Sequence, residues 1–179
     1  MESEKLTYSF GWFKFGKQYS CDERKNVIEQ IETLPSRLKQ IMSLLSGDQL
    51  GKSYKPGGLS AQQLTNHLGD LCMNAYVRTK CMLTEDNPTI KIYDENLFNH
   101  LPDSNCMANA SINIISNLTQ QWILLLYAIA DDDFNRKLYN FEYNVSIQFD
   151  ELIALYAWRG NSVLARLEMI HNTNTSEFK

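Results

Sequence analysis

The chain holds only three imidazoles, His67, His100 and His171, and one of them sits inside a strong helical pattern. His67 shares one side of a helix with Leu64, Leu71, Asn74 and Arg78, by the 3- and 4-residue spacing that stacks side chains on a face. A neutral imidazole there offers a lone pair to a metal or a proton, and Asp70 adds a carboxylate close by. Much later, Arg159, Ser162 and Arg166 follow one another at helical steps and share a stripe of another helix. Guanidinium groups on such a stripe suit a carboxylate or phosphate. Ser162 and His67 do not suggest a Ser-His hydrolase. No Gly-x-Ser-x-Gly turn surrounds the serine, and a serine within a helix lacks the strained exposure and oxyanion donors that such chemistry uses. Plainer roles stand beside these: a hydrogen-bonded core histidine, an Arg166 that pairs with Asp70 or complements the helix dipole, and solvated arginines.

The elements that must carry these groups are helical. Ser60 is placed to cap a helix running to about Leu83, which sets His67 two turns in. Before it, Asp22 caps a helix through Val27, Ile31 and Leu34, and Pro35 kinks it or starts a second segment that reaches Gly47. Glycines at 51, 57 and 58 mark the loop between the two. From Thr84 to Pro102 there are two prolines and little periodicity, so this is a long crossover with at most a short turn near Leu97. His100 lies in it. Ser104 caps a third helix with apolar positions from Ile112 to Ile129, ended by the three carboxylates from Asp131. Leu138 to Val145 reads as one extended piece. Ser146 then caps the last helix, which has Glu151 near its start and ends near His171. Residues 1–21 form an extended aromatic arm laid across the bundle, and residues 172–179 a frayed tail. Together these give one all-α domain over 1–179, a four-helix bundle with one long crossover.

The bulk numbers exclude several classes. With 179 residues and 44% apolar content, one domain buries roughly two-thirds of its unfolded surface. Seventeen basic against twenty-one acidic side chains give a net charge of −4 without a dense basic cluster, which argues against nucleic acid as a partner. The longest apolar run, Trp122 to Ala130, is far short of the roughly 20 residues needed to span a bilayer. The acidic start is unlike a secretory signal, and the expected location is the cytoplasm. Cys21, Cys72, Cys81 and Cys106 show no Cys-x-x-Cys spacing and read as small hydrophobes.

Several stretches together resemble the DinB/YfiT-like superfamily, and within it the YfiT-type branch. They are Tyr54-Lys-Pro-Gly-Gly, Gln63-Leu-Thr-Asn-His67-Leu-Gly-Asp70, Asn74-Ala-Tyr-Val-Arg78, the run from Leu83 to Asp94 and Leu155-Tyr-Ala-Trp158. Their order and spacing match over nearly the whole chain. The resemblance implies the same bundle, often paired as a dimer, with the aromatic arm as a candidate interface. It also implies a divalent metal held by a histidine at the position of His67 and two more on the last helix. Those later positions are here Ser162 and Arg166. A guanidinium has no lone pair to give and repels a cation, so the expected site holds no metal and no other cofactor. His67, Asp70, Asn74, Arg159, Ser162 and Arg166 instead form a candidate pocket for a small anion, with Arg166 in place of the ion. The alternative is an enzyme of this superfamily, a metal-dependent hydrolase or a transferase of low-molecular-weight thiols. It would work without a metal, or with zinc or nickel on an atypical set of His67, Asp70 and an acid such as Glu151.

Overall fold

Three serines start the first three helices in the same way. Ser20, Ser46 and Ser60 each accept a hydrogen bond from the amide three residues on, and the side-chain oxygens of Glu23, Gln49 and Gln63 in turn accept the serine amide. Two of the otherwise orphaned donors of each first turn are thereby satisfied. The computed structural model describes residues 13–91, 93–141 and 144–173. In chain order it contains the helices α1 (Cys21–Leu44), α2 (Gly47–Leu50), α3 (Ala61–Thr84), α4 (Glu95–Phe98), α5 (Ala108–Tyr127) and α6 (Phe149–Thr173). Three strands, β1 (Thr89–Ile90), β2 (Lys137–Asn140) and β3 (Val145–Gln148), make a small sheet.

The four long helices form the expected bundle. Both α1 and α3 pack on α5 and α6, which leaves α1 diagonal to α3 and α5 diagonal to α6. The long connection after Thr84 therefore joins neighbours, and the two diagonal steps are made by the segment through α2 and by the hairpin of β2 and β3. That hairpin is antiparallel, and β1 pairs with β2 in parallel, so the crossover is tied down beside the hairpin. The core runs along the bundle axis through Leu38, Leu64, Leu68, Ile115, Trp122, Leu152 and Leu167. The indole of Trp122 donates to the Thr79 hydroxyl at 2.9 Å, which satisfies both buried groups.

Several expected boundaries move. The cap of α1 is Ser20 rather than Asp22, and the helix passes Pro35 without a break. Ser104 does not cap α5, which begins at Ala108 without a side-chain cap. It lies buried in a 3-10 turn (Pro102–Asn105), where its carbonyl accepts from Asn66 Nδ2 at 2.7 Å. Ser146 does not cap α6 either, because it is paired with Tyr139 in the hairpin. The last helix reaches Thr173, so residues 172 and 173 of the expected frayed tail are helical, and residues 174–179 lie outside the described residues. Of the aromatic arm, residues 1–12 lie outside the described residues. Phe13 packs on Trp158 with ring centroids 5.9 Å apart, and the Gly16 amide donates to Glu151.

Helix α6 is buried on nearly every side from Phe149 to Leu167. It meets α1 closely at Gly160, where an added Cβ would lie 2.9 Å from Leu34 Cδ2 and 3.1 Å from Cδ1. Leu34 is itself buried and has little room to retreat. For Gly160→Ala, an overpacking cost of about 1–3 kcal/mol is set against a gain in helix propensity of about 1 kcal/mol. The expected net loss is up to about 2 kcal/mol, read from the urea midpoint. An unchanged or raised midpoint would show that Leu34 gives way.

Candidate functional site

The capped start of α3 places His67 on the side facing α6, and the side chain is 5% exposed. From α6 come Arg159, Ser162 and Arg166, all buried. The two arginines are close enough to His67 to disfavour its protonation, although burial is the larger cause. A third element closes the group. The crossover turns at Asp94, whose Oδ1 accepts the Leu97 amide at 3.0 Å, and the one-turn helix α4 delivers Glu95. One Glu95 oxygen pairs with Arg159 Nη2, and the other stands 3.7 Å from His67 Nε2. Burial outweighs the attraction of that carboxylate, so the His67 pKa is pushed down to about 4 and the imidazole is neutral near pH 7.

Around this centre the polar groups are unevenly satisfied. His67 Nδ1, Ser162 Oγ and the Tyr93 hydroxyl are buried and find no hydrogen-bond partner among the described residues. Burial drives the Tyr93 pKa upward, and Tyr93 is near enough to Glu95 and Arg159 to respond to both. Arg78 forms an outer wall: Nη1 donates to the Tyr156 hydroxyl at 2.6 Å and Nη2 to the Lys91 carbonyl at 3.4 Å. The Pro56-Gly57-Gly58 turn sets the opposite wall. Gly57 takes φ +72°, and a Cβ on Gly58 would lie 3.2 Å from the Tyr54 ring. That turn holds Tyr54 with its ring centroid 5.4 Å from the Arg166 guanidinium carbon, a cation-π distance.

His67, Arg159, Ser162 and Arg166 are thus brought into one neighbourhood. Asp70 is half-buried at its edge and makes no ion pair with Arg166. Burial raises its pKa, helped by the charges of Asp103 and Glu95. The Asn74 amide turns back to its own helix and donates to the Asp70 carbonyl at 2.9 Å. Glu151 belongs elsewhere, which corrects its placement in an atypical metal set. Its oxygens accept the amides of Gly16 and Gln148, and eleven residues of helix put it roughly 16 Å before Ser162. His100 is exposed and bonded to the Asn96 carbonyl, and His171 lies near the far end of α6. Glu95, Tyr93 and Tyr54 were not singled out from the sequence. Tyr54 and Tyr93 lie inside the quoted motifs, and Glu95 directly follows one, so that proximity was the available signal. Among the described residues no three His, Cys, Asp or Glu side chains converge to hold a metal, and no helix is long and apolar enough to cross a membrane.

Comparison with known proteins gives a consistent result. The family model described as the DinB superfamily matches residues 30–159, ending before Ser162 and Arg166. A Bacillus subtilis protein named "Putative metal-dependent hydrolase YfiT" is 31% identical over 93% of this chain and 94% of its own length. An Oceanobacillus iheyensis protein, also named a putative metal-dependent hydrolase, is 36% identical over 89% of this chain and 92% of its own. The solved structure of the Bacillus subtilis protein, described as "a probable metal-dependent hydrolase with an unusual four-helix bundle topology", superposes with a TM-score of 0.89 at 29% identity. The match covers 96% of this chain and 98% of that one.

Proposed function

The chain belongs to the DinB superfamily, and from that premise we propose that the buried polar cluster around His67 is a pocket for a small anion, bound without a metal and without catalysis. Relatives carry names that imply a metal-dependent hydrolase. The residues of this pocket do not fit a metal ion. They offer one imidazole, one carboxylate already paired with Arg159, a serine hydroxyl and the buried guanidinium of Arg166. The fixed positive charge of Arg166 beside a single nitrogen donor repels a cation and attracts an anion, while the charge of Arg159 is met by Glu95.

The observation that carries this reading is the burial of both Arg159 and Arg166 on the stripe of α6 that faces a neutral imidazole. Arg166 stands in the role of the ion that the family resemblance implies, held over Tyr54. The ligand is a small carboxylate or phosphate, and the protein works in the cytoplasm.

Two measurements test this. Protein purified without chelator, then titrated with zinc and nickel, should hold far less than one ion per chain; one tightly bound ion would overturn the reading. Calorimetric titration with succinate and with inorganic phosphate should give saturable binding to at least one of them. Arg166→Ala should weaken that binding about ten- to a hundredfold, the range expected for losing one charge-assisted hydrogen-bonding group worth about 1.5–3 kcal/mol. An unchanged affinity in a folded variant would remove Arg166 from the site.

A further inference from the structure

Glu95 occupies the position that an incoming anion would need. Its carboxylate meets Arg159 with one oxygen and approaches His67 with the other. The one-turn helix that carries it is itself lightly packed: no residue of α4 is buried and Leu97 is 66% exposed, although Asn99 just after it is buried and the crossover before it is anchored through β1. Among the described residues next to Glu95, the long Arg78 bond to the Lys91 carbonyl ties the segment to α3, whereas the Tyr93 to Phe98 ring contact at 4.4 Å lies within the segment itself. His67 Nδ1, Tyr93 OH and Ser162 Oγ are buried without a partner among the described residues even with Glu95 in place. A carboxylate from outside can therefore reproduce the Arg159 contact and also offer an acceptor to the Ser162 hydroxyl, which Glu95 leaves unsatisfied.

We propose that Glu95 is a built-in carboxylate ligand, exchanged for the carboxylate of a small molecule when α4 moves off the pocket. The exchange rests on the anion-binding reading above and adds a ligand class and a device. Contact between guanidinium and carboxylate is conserved in the swap, so its electrostatic cost is small. A tethered group competes at an effective concentration on the order of millimolar or above. Glu95 thus sets a threshold that weak or scarce carboxylates do not cross. The same contacts explain why a one-turn helix with no buried residue stays docked.

Glu95→Gln tests this, since it keeps the side-chain shape and removes the competing charge. Succinate should bind the variant about tenfold more tightly than the parent chain by calorimetry. Hydrogen exchange at the amides of Leu97, Phe98 and Asn99, which bond within the 94–99 turn, should quicken in the variant alone and in the parent on adding succinate. Asp94→Ala, which removes the α4 cap and leaves Glu95 intact, should move both readings in the same direction by less. Equal succinate affinity in parent and Glu95→Gln with unchanged exchange overturns the device and leaves anion binding standing. Faster exchange with no succinate or phosphate bound by either chain overturns both. Binding of phosphate but not of succinate overturns the carboxylate class.

Discussion

The double variant Ser162→His, Arg166→His should bind one zinc or nickel ion per chain, where the parent chain should hold far less than one. Positions 162 and 166 are one helical turn apart on α6, about 6 Å along the axis, and both are buried on the stripe near His67. Imidazoles placed there are held by packing rather than left to rotate in solvent, and with His67 they make a three-nitrogen set with open positions. The substitution also removes the Arg166 charge, which now opposes a cation. Arg159 remains, with its charge compensated by Glu95. A dissociation constant on the order of micromolar or tighter corresponds to roughly 8 kcal/mol of binding free energy. At a hundredfold excess of free zinc over that constant, the folded state should gain about 2.7 kcal/mol, read as a raised thermal midpoint. Ser162→His alone keeps the guanidinium and should gain little, which separates the effect of charge from the number of donors. A folded double variant that binds no metal would show that the stripe does not converge on His67, and the pocket reading would fall with it.

How much of this could be read from the chain depends on whether the cause was local or distant. Ser60 with Gln63 is a complete local instruction, and α3 starts where that pair places it. Ser104 and Ser146 carry the same residue type, but the backbone at each is committed to tertiary pairing instead of to a helix start. Asn66 takes the carbonyl of Ser104, and Tyr139 pairs with Ser146 across the hairpin. The positions of Arg159, Ser162 and Arg166 on one stripe followed from helical spacing alone. Their burial did not, because α6 is enclosed by the arm, the crossover and the sheet as well as by its bundle neighbours. Glu95 was missed for a related reason. It sits in an aperiodic segment whose course is set by the pairing of β1 with β2 and by the Asp94 cap, so no spacing rule connects it to His67 or Arg159. Asn74 shows the opposite error: its spacing is right for the face, yet its amide is used up by its own helix.

Lowering the pH from 6.5 to 4 should cost the folded chain roughly 3 kcal/mol through His67 alone. The pKa of His67 falls from 6.5 to about 4 on folding, chiefly by burial, with Arg159 and Arg166 adding to the fall and Glu95 opposing it. Above pH 6.5 the imidazole is neutral in both states and contributes nothing. Between 6.5 and 4 the unfolded chain takes up a proton that the folded chain refuses, so stability drops by about 1.4 kcal/mol per unit over 2.5 units. Below pH 4 both states are protonated and the loss is complete. Asp70 acts in the opposite sense: its raised pKa makes the folded state the better proton acceptor as pH falls. It is present in parent and variant alike and cancels in the comparison. His67→Gln has no proton to gain, so its urea-derived stability should fall less steeply over this window, the two curves converging by roughly 3 kcal/mol as pH approaches 4. The variant's offset at pH 8 reports packing, whereas the change in slope reports only the buried imidazole. Parallel curves would mean that His67 is hydrated or already charged in the folded chain, and a charged imidazole between two guanidiniums would require an anion, or Glu95 at closer range, to hold it there.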